Sequence, residues 1–467
     1  MRVRRLLPAA LAAAVTATTL VGGATPPASS LTGATSNAKR TVMFVGNNWA
    51  GTATIADATS RKGLKTINIV PDKNQEMTDL LLDPAQLVLF LAIRVAVGEG
   101  NDQFVDDMFT TNDGRYLAVS RPSLADVVWI DLAKAVAGRP DSIAVEQDMD
   151  GFRTDHMGVS PDGRRLLVSD STERKVIEFS MVNETLPGGA TVTMGQRLRT
   201  FESGDTPHEN NYSKDGSRIF HASIGRVYTP GDYGYIGPVN AETVHDAVKA
   251  DRWLQIVRTT DFAVTERWDM GKELEEAGYP EFSSAVRPVA LSPDERFLYA
   301  QVSFHHGFVE YDLQAQDPTG GGDYTLGGLP EPATGKVTRI AHLPISPEAA
   351  ALTREQYVLD SAHHGIAMND AGTKLCVAGT MSDYAAIVQR SSFAYKVFDG
   401  AARFLAGREY SKPYWSTTGP GNTCWISMSG SDLVTVIDYA TEQVIAEIPV
   451  GDHPQRVREG VILRSIL

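Results

Sequence analysis

The chain of 467 residues carries only two cysteines, Cys376 and Cys424. So few exclude a disulfide-framework scaffold, and a thiolate zinc site needs more Cys or nearby His than this. Positive charge is also short: the net charge is −14 and the body of the chain has no basic run. Nucleic-acid binding, which needs a positive footprint, is therefore not expected. Long apolar runs are missing beyond the N-terminus. The nearest candidate, LLLDPAQLVLFLAIRVAV at 80–97, is interrupted by Asp83, Pro84 and Arg94 and reads as a buried or surface-packed helix. It falls short of the ~20 apolar residues that span a bilayer, so no membrane span is expected. Catalytic signatures are missing too. There is no HExxH, no G-x-S-x-G elbow, and the Gly-rich stretch GGGDYTLGG (320–328) leads into neither a Lys nor a helix start.

What is present begins with MRVRRLLPAALAAAVTATTLVGGATPPASS. Arg2, Arg4 and Arg5 precede an apolar stretch and then small residues, the pattern of an export signal over 1–28 with cleavage between Ala24 and Ala28. Residues 29–40 read as a disordered leader rich in Ser, Thr and Gly. A secreted, extracellular protein is the expectation, and residues 41–467 form its folded part.

That part repeats. Blocks at 109–132, 159–179, 212–223, 291–313, 368–380 and 417–451 share one grammar. A short polar turn, typically Asp-Gly, opens each block. An alternating apolar run follows, then a polar break, then a β-rich run often ending in Asp (Asp131, Asp312, Asp438). Asp-Gly supplies the left-handed residue of a tight hairpin, and period-two alternation makes half-buried strands. The turn glycines recur at intervals of about 49 residues or more, the length of a four-stranded propeller blade. Residues 42–70 look like the second to fourth strands of a blade that lacks its first, and 452–464 like a first strand with nothing after it. Pairing the two closes a ring and removes two open sheet edges. The expected fold is all-β: a seven-bladed β-propeller closed by pairing a C-terminal strand with the N-terminal blade.

The segments VIDYATEQVIAEIPVGDHP (436–454), RPVALSPDE (287–295) and SPDGRRLLV (160–168) resemble the YVTN repeat of seven-bladed propellers. The resemblance covers 42–464, with weaker blades at 206–269 and 363–411. The WD-repeat family is less similar, since its Gly-His and Trp-Asp signatures are absent. Propellers related to the YVTN type include lactonases, and the resemblance implies a divalent metal at the channel mouth that activates water. Lactonase metal sets favour carboxylate and Asn, whereas this chain offers His.

Propeller geometry assigns residues to faces. The loops joining strand d to the next strand a, and strand b to strand c, share one face; the a–b and c–d loops share the other. Extra length falls mainly on the first face, at 71–103, 226–251, 270–285 and 344–362, with the c–d loop 317–335 as the exception. Function sits preferentially on such loops. Counting five residues back from the first position of each a–b turn gives Asp106, Asp155, His208, Arg287 and His364 as the ring at the channel mouth. Gln455 and Pro413–Tyr414 complete it, and Asp107, His156, Glu209 and His363 lie nearby. Only His221 and His342 of the ten histidines fall away from this face.

The candidate ligand-binding set is therefore Asp106, Asp155, His156, His208, Glu209, Arg287 and His364. The candidate metal set is His208, Glu209, His305, His306 and His364, whose N and O donors suit zinc, copper or iron. The same residues also suit backbone capping and ion pairing around channel water. Cys376 and Cys424 map to equivalent strands of neighbouring blades, either as a disulfide or as buried thiols. The favoured expectation is a non-catalytic propeller that binds a protein partner or small-molecule ligand on the decorated face. One alternative is a metal-dependent, lactonase-like hydrolase. A second is a copper- or quinone-dependent oxidoreductase-like site.

Overall fold

In a computed structural model, seven four-stranded antiparallel sheets form the ring. The structure describes residues 38–467 apart from 97, 227–234, 237–238, 241–249, 279–285, 319, 321–324, 354–355, 358–360, 401–404 and 406. The expected N-terminal signal, residues 29–37 of the expected leader and most of the 226–251 connection lie outside the described residues; Lys39 and Arg40, expected in the leader, instead open the first strand, where they pair with Leu463 and Ile462.

Blade one is composite, with the strand order Pro454–Leu463, Lys39–Asn47, Thr52–Asp57 and Lys62–Asn68 from the inside outwards. Its C-terminal inner strand pairs with Lys39–Asn47 from Lys39↔Leu463 to Asn47↔Pro454. The inner strands of blades two to seven are Met108–Thr110, Thr154–Val159, Pro207–Tyr212, Val286–Leu291, Ile366–Met368 and Pro413–Gly419.

The a–b turns explain why the repeat folds as it does. Ser160 Oγ donates to Asp162 Oδ1 (2.6 Å), and Asp162 Oδ1 accepts from the Arg164 N–H (3.0 Å). Thr111 with Asp113 and Ser213 with Asp215 repeat the first of these bonds at 2.6 Å. Gly163 sits at φ 69° to close the turn, and a Cβ there would come within 2.6 Å of the Asn112 side chain of the preceding blade. The Asp after strand c also has a fixed task. Asp131 Oδ1 accepts from Lys134 N (3.1 Å), Asp312 Oδ1 from Gln314 N (3.0 Å) and Asp438 Oδ1 from Thr441 N (2.7 Å).

Apolar clusters fill the spaces between blades. Trp129, Phe179 and Met157 pack between blades two and three, and Trp268, Tyr311 and Val337 between four and five. Cys376 and Cys424 are joined as a disulfide between blades six and seven, with Cα atoms 6.4 Å apart.

Two helices, Lys73–Leu81 and Pro84–Ala96, occupy the connection from blade one to blade two. Arg121, fully buried and bonded through two nitrogens to Asp126, also donates to Asp72 Oδ1 at the start of the first helix (2.7 Å). Asp83 Oδ1 accepts from the Gln86 N–H (3.1 Å) and starts the second helix. That helix is surface-packed: Phe90 and Ile93 are buried, while Val88, Leu91 and Val95 are exposed. Among the described residues, no helix is long and apolar enough to cross a membrane. The far face holds more than the sequence suggests, since the c–d connection of blade three carries its own small hairpin, Glu184–Thr185 with Thr191–Val192.

Candidate functional site

The channel mouth carries a cavity of about 40 Å³. Asp106, Asp155, His208, Arg287 and Gln455, five positions of the ring counted from the turns, line it together with His156 and Tyr414, while His364 lies outside its lining. Leu89 and Ile93 of helix Pro84–Ala96 also line it. A space this size holds a few waters or an ion with a small ligand.

The residues after Asp106, Asp155, His208 and Gln455 form a second tier: Asp107, His156, Glu209 and Arg456, all buried. A strict alternation would send consecutive side chains to opposite faces. Register shifts between Thr154 and Met157, and between Pro207 and Glu209, break that alternation at the start of the inner strands. Such bulges re-aim side chains. His156 and His208 consequently approach with ring centroids 3.5 Å apart, and Glu209 Oε2 lies 3.1 Å from His156 Nδ1.

His364 arrives on the approach to the inner strand of blade six. Gly365 permits this, since a Cβ there would lie 2.4 Å from the Ser416 amide of blade seven. The His364 ring stacks on Tyr414 at 4.0 Å and stands 5.9 Å from His208 and 6.2 Å from His156. One ligand atom from each of His156, His208 and His364 lies within 4.8 Å of those of the other two. His156 Nε2, His208 Nδ1 and His364 Nδ1 are buried, and none meets a hydrogen-bond partner among the described residues. A second convergent trio shares His156 and adds Asp106 and Asp155; Asp155 Oδ1 is 3.7 Å from His156 Nε2.

Burial sets the protonation states. It holds all three imidazoles well below their ordinary pKa, and the Arg456 guanidinium adds to the effect at each. They are neutral donors with lone pairs available. Burial pushes the Asp106 carboxyl up to about 7 and Glu209 up to about 7, and it raises Asp155. Arg456 partly offsets this at Asp106, with Nη2 3.3 Å from Asp106 Oδ1.

These residues fit a metal ion. Three neutral imidazole nitrogens without partners suit zinc, copper, nickel or iron better than a hard cation. Glu209 on His156 Nδ1 is the carboxylate–histidine contact that orients a ligating imidazole. Arg153, Arg287 and Arg456 line the same cavity as Asp106 and Asp155, so the mouth carries more positive than negative side chains.

The structure divides the metal set read from the sequence. His208 and His364 come together, and His156 joins them. Glu209 faces His156 Nδ1 behind the three nitrogens. His305 and His306 are directed elsewhere: His305 Nε2 bonds the Ala341 carbonyl (2.7 Å) and His306 Nε2 bonds Tyr357 Oη (3.0 Å). His363 turns away from His364 to Tyr384 Oη (3.1 Å). His342 sits beside His305, ring centroids 5.1 Å apart, because the strand register places it opposite Gly307 at the b–c turn. Arg153, Arg456 and the capping residues Leu89 and Ile93 were not singled out from sequence. Arg456 follows Gln455 as His156 follows Asp155, which is the signal that finds it.

No family model and no curated protein matches the chain. Among solved structures, the chain is similar to Kuenenia stuttgartiensis hydrazine synthase at 14% identity and a TM-score of 0.47, over 78% of this chain and 96% of that one. The class that fold and topology establish is the seven-bladed β-propeller.

Proposed function

We propose that the protein binds a small anion at the mouth of its channel, on a transition-metal ion held by His156, His208 and His364. The observation that carries this reading is the convergence of three buried imidazoles, each of which has a ring nitrogen that meets no hydrogen-bond partner among the described residues. Unpaired buried polar atoms are costly, and a metal ion satisfies all three at once. Arg287 and Arg456 supply the attraction for an anion, and the roughly 40 Å³ cavity limits it to a few heavy atoms. Leu89 and Ile93 of helix Pro84–Ala96 supply an apolar part of the lining.

Cobalt substitution tests this. The visible spectrum of Co²⁺-loaded protein should change on titration with acetate, and Arg287→Ala should weaken the response about tenfold. A spectrum indifferent to small carboxylates and to halides would refute anion binding at the metal.

A second reading, metal-assisted hydrolysis of a small ester or lactone, is favoured by the Asp106–Asp155 trio with His156. A bound divalent ion supplies Lewis-acid chemistry there. Asp155, which also accepts from Ser171 Oγ (3.3 Å), is placed to hold a proton beside it. Hydrolysis of simple lactones by the metal-loaded protein, lost in Asp155→Asn with metal retained, supports this reading. Absence of turnover across such substrates leaves the binding function.

A further inference from the structure

Helix Pro84–Ala96 buries Phe90 and Ile93, yet Pro84, Ala85, Val88, Leu91, Ala92 and Val95 are exposed. These six recur at spacings of three and four, so they share one face of the helix. A surface helix ordinarily turns charged and polar residues that way. Its two polar residues lie elsewhere. Gln86 is buried and donates from Nε2 to the Leu124 carbonyl (3.3 Å), and Arg94 is half-buried and paired with Asp102 (2.6 Å). Leu81 and Leu82, at the end of the preceding helix, extend the apolar surface back along the chain. Every exposed residue from Leu81 to Val95 is apolar.

The patch is concentrated. Of the nine large hydrophobic residues exposed among the described residues, five lie here: Leu81, Leu82, Val88, Leu91 and Val95, each 45–78% exposed. Together they leave roughly 600 Å² of side-chain surface open, the upper end for a soluble monomer. Two such faces pressed together bury roughly 1,200 Å², which reaches the range of stable, specific interfaces.

The chemistry of the patch favours a second copy of the chain over a lipid surface. Helices that lie on membranes carry Lys and Arg on their polar face. Here the one Arg is held by Asp102, Asp79 and Asp83 adjoin the patch in the chain, and a net charge of −14 repels anionic headgroups. The same net charge sets two copies against each other, and they approach with least repulsion through an uncharged face. A face without charges offers no pattern to select a different protein, but it is complementary to itself across a two-fold axis.

We propose that Leu81–Val95 is a homodimer interface, in which helix Pro84–Ala96 packs against the same helix of a second copy around a two-fold axis near Val88, the midpoint of the patch. The contact is separate from anion binding, because none of its exposed residues lines the cavity.

Sedimentation velocity on the full chain tests this. The protein should form a dimer with a Kd of about 10 µM or below. Val88→Glu with Leu91→Glu changes two exposed positions, so the circular dichroism spectrum should stay unchanged while association weakens at least 100-fold. Phe152→Glu with Ile345→Glu, exposed apolar positions outside the patch, should leave the dimer intact. Cys376 and Cys424 are bonded to each other, so Val88→Cys adds the one free thiol, and mild oxidation should link two chains through it. A His156→Ala, His208→Ala, His364→Ala variant should remain a dimer, which separates this contact from the metal site. The proposal is overturned by a native protein that stays monomeric at about 100 µM, or by a dimer that Val88→Glu, Leu91→Glu does not weaken. A dimer in which Val88→Cys stays unlinked overturns the two-fold contact. A monomer that binds phosphatidylcholine vesicles, and loses them in Val88→Glu, Leu91→Glu, overturns it in favour of a lipid surface.

Discussion

Asp107 and Arg458 meet in a two-bond carboxylate–guanidinium pair, 2.7 Å at both contacts, where the C-terminal strand enters the ring. Asp107 is fully buried in blade two, and it also accepts from the Met157 amide of blade three (3.1 Å) and from the neighbouring Met108 amide (2.9 Å). One carboxylate thus joins blades one, two and three, and the arginine beside it holds its pKa below the ordinary value. Removing one partner of a buried pair strands the other charge. Asp107→Asn should therefore cost about 3–5 kcal/mol in denaturant unfolding. Replacing both, Asp107→Leu with Arg458→Met, should cost less than the two single changes summed. A loss under about 1 kcal/mol for Asp107→Asn would show that the seam does not depend on this pair.

The Cys376–Cys424 bond closes 48 residues of chain between neighbouring blades. By loop-closure arguments a cross-link of that span is worth roughly 3–5 kcal/mol. Unfolding in dithiothreitol should lower the midpoint of the native protein to that of a Cys376→Ser, Cys424→Ser variant, and the variant itself should not respond. Equal midpoints with and without reductant would contradict this.

His453 stacks on Trp49, ring centroids 3.7 Å apart and 4° from parallel. Burial, with Lys412 nearby, holds its pKa down at about 3, against about 6.5 in an unfolded chain. Between those values the unfolded state takes a proton and the folded state does not. The stability concerned is fully present above pH 6.5 and is lost as pH falls toward 3, by up to about 1.4 kcal/mol per pH unit. His453→Phe keeps the stacking and removes the titration. Stability curves of the two proteins should run parallel above pH 7 and converge or cross in favour of His453→Phe by pH 5. Curves parallel down to pH 4.5 would place the imidazole in water.

The ring was legible because it is written in local chemistry. Ser-x-Asp-Gly turns carry their own hydrogen bonds, and each gives a fixed count back to Asp106, Asp155, His208, Arg287 and His364. The choice among histidines was not legible. His156 joins His208 only because an irregularity in the inner strand re-aims it, and no residue pattern marks that shift. His305 and His306 read as ligands in sequence because they share a turn on the right face. Tertiary partners, the Ala341 carbonyl and Tyr357, claim their nitrogens instead. The lining by Leu89 and Ile93 depends on how a helix packs on the ring, where Gln86 Nε2 donates to the Leu124 carbonyl (3.3 Å).

Glu209 lies behind His156 and bonds its Nδ1, so its part is to orient and polarise a ligating imidazole. Glu209→Gln should weaken metal binding roughly 10–100-fold in chelator competition, with the circular dichroism spectrum unchanged. Unaltered affinity would make Glu209 a space-filling residue of the channel wall.

The most direct measurement is elemental analysis of untagged protein, purified without chelator and exposed to equimolar Zn²⁺ and Cu²⁺. The native chain should retain one equivalent of transition metal. The His156→Ala, His208→Ala, His364→Ala variant should retain less than a tenth of that while folded, and His305→Ala, His306→Ala should retain all of it. A folded native protein that holds no transition metal, or a triple variant that holds as much, would contradict a metal centre at the channel mouth.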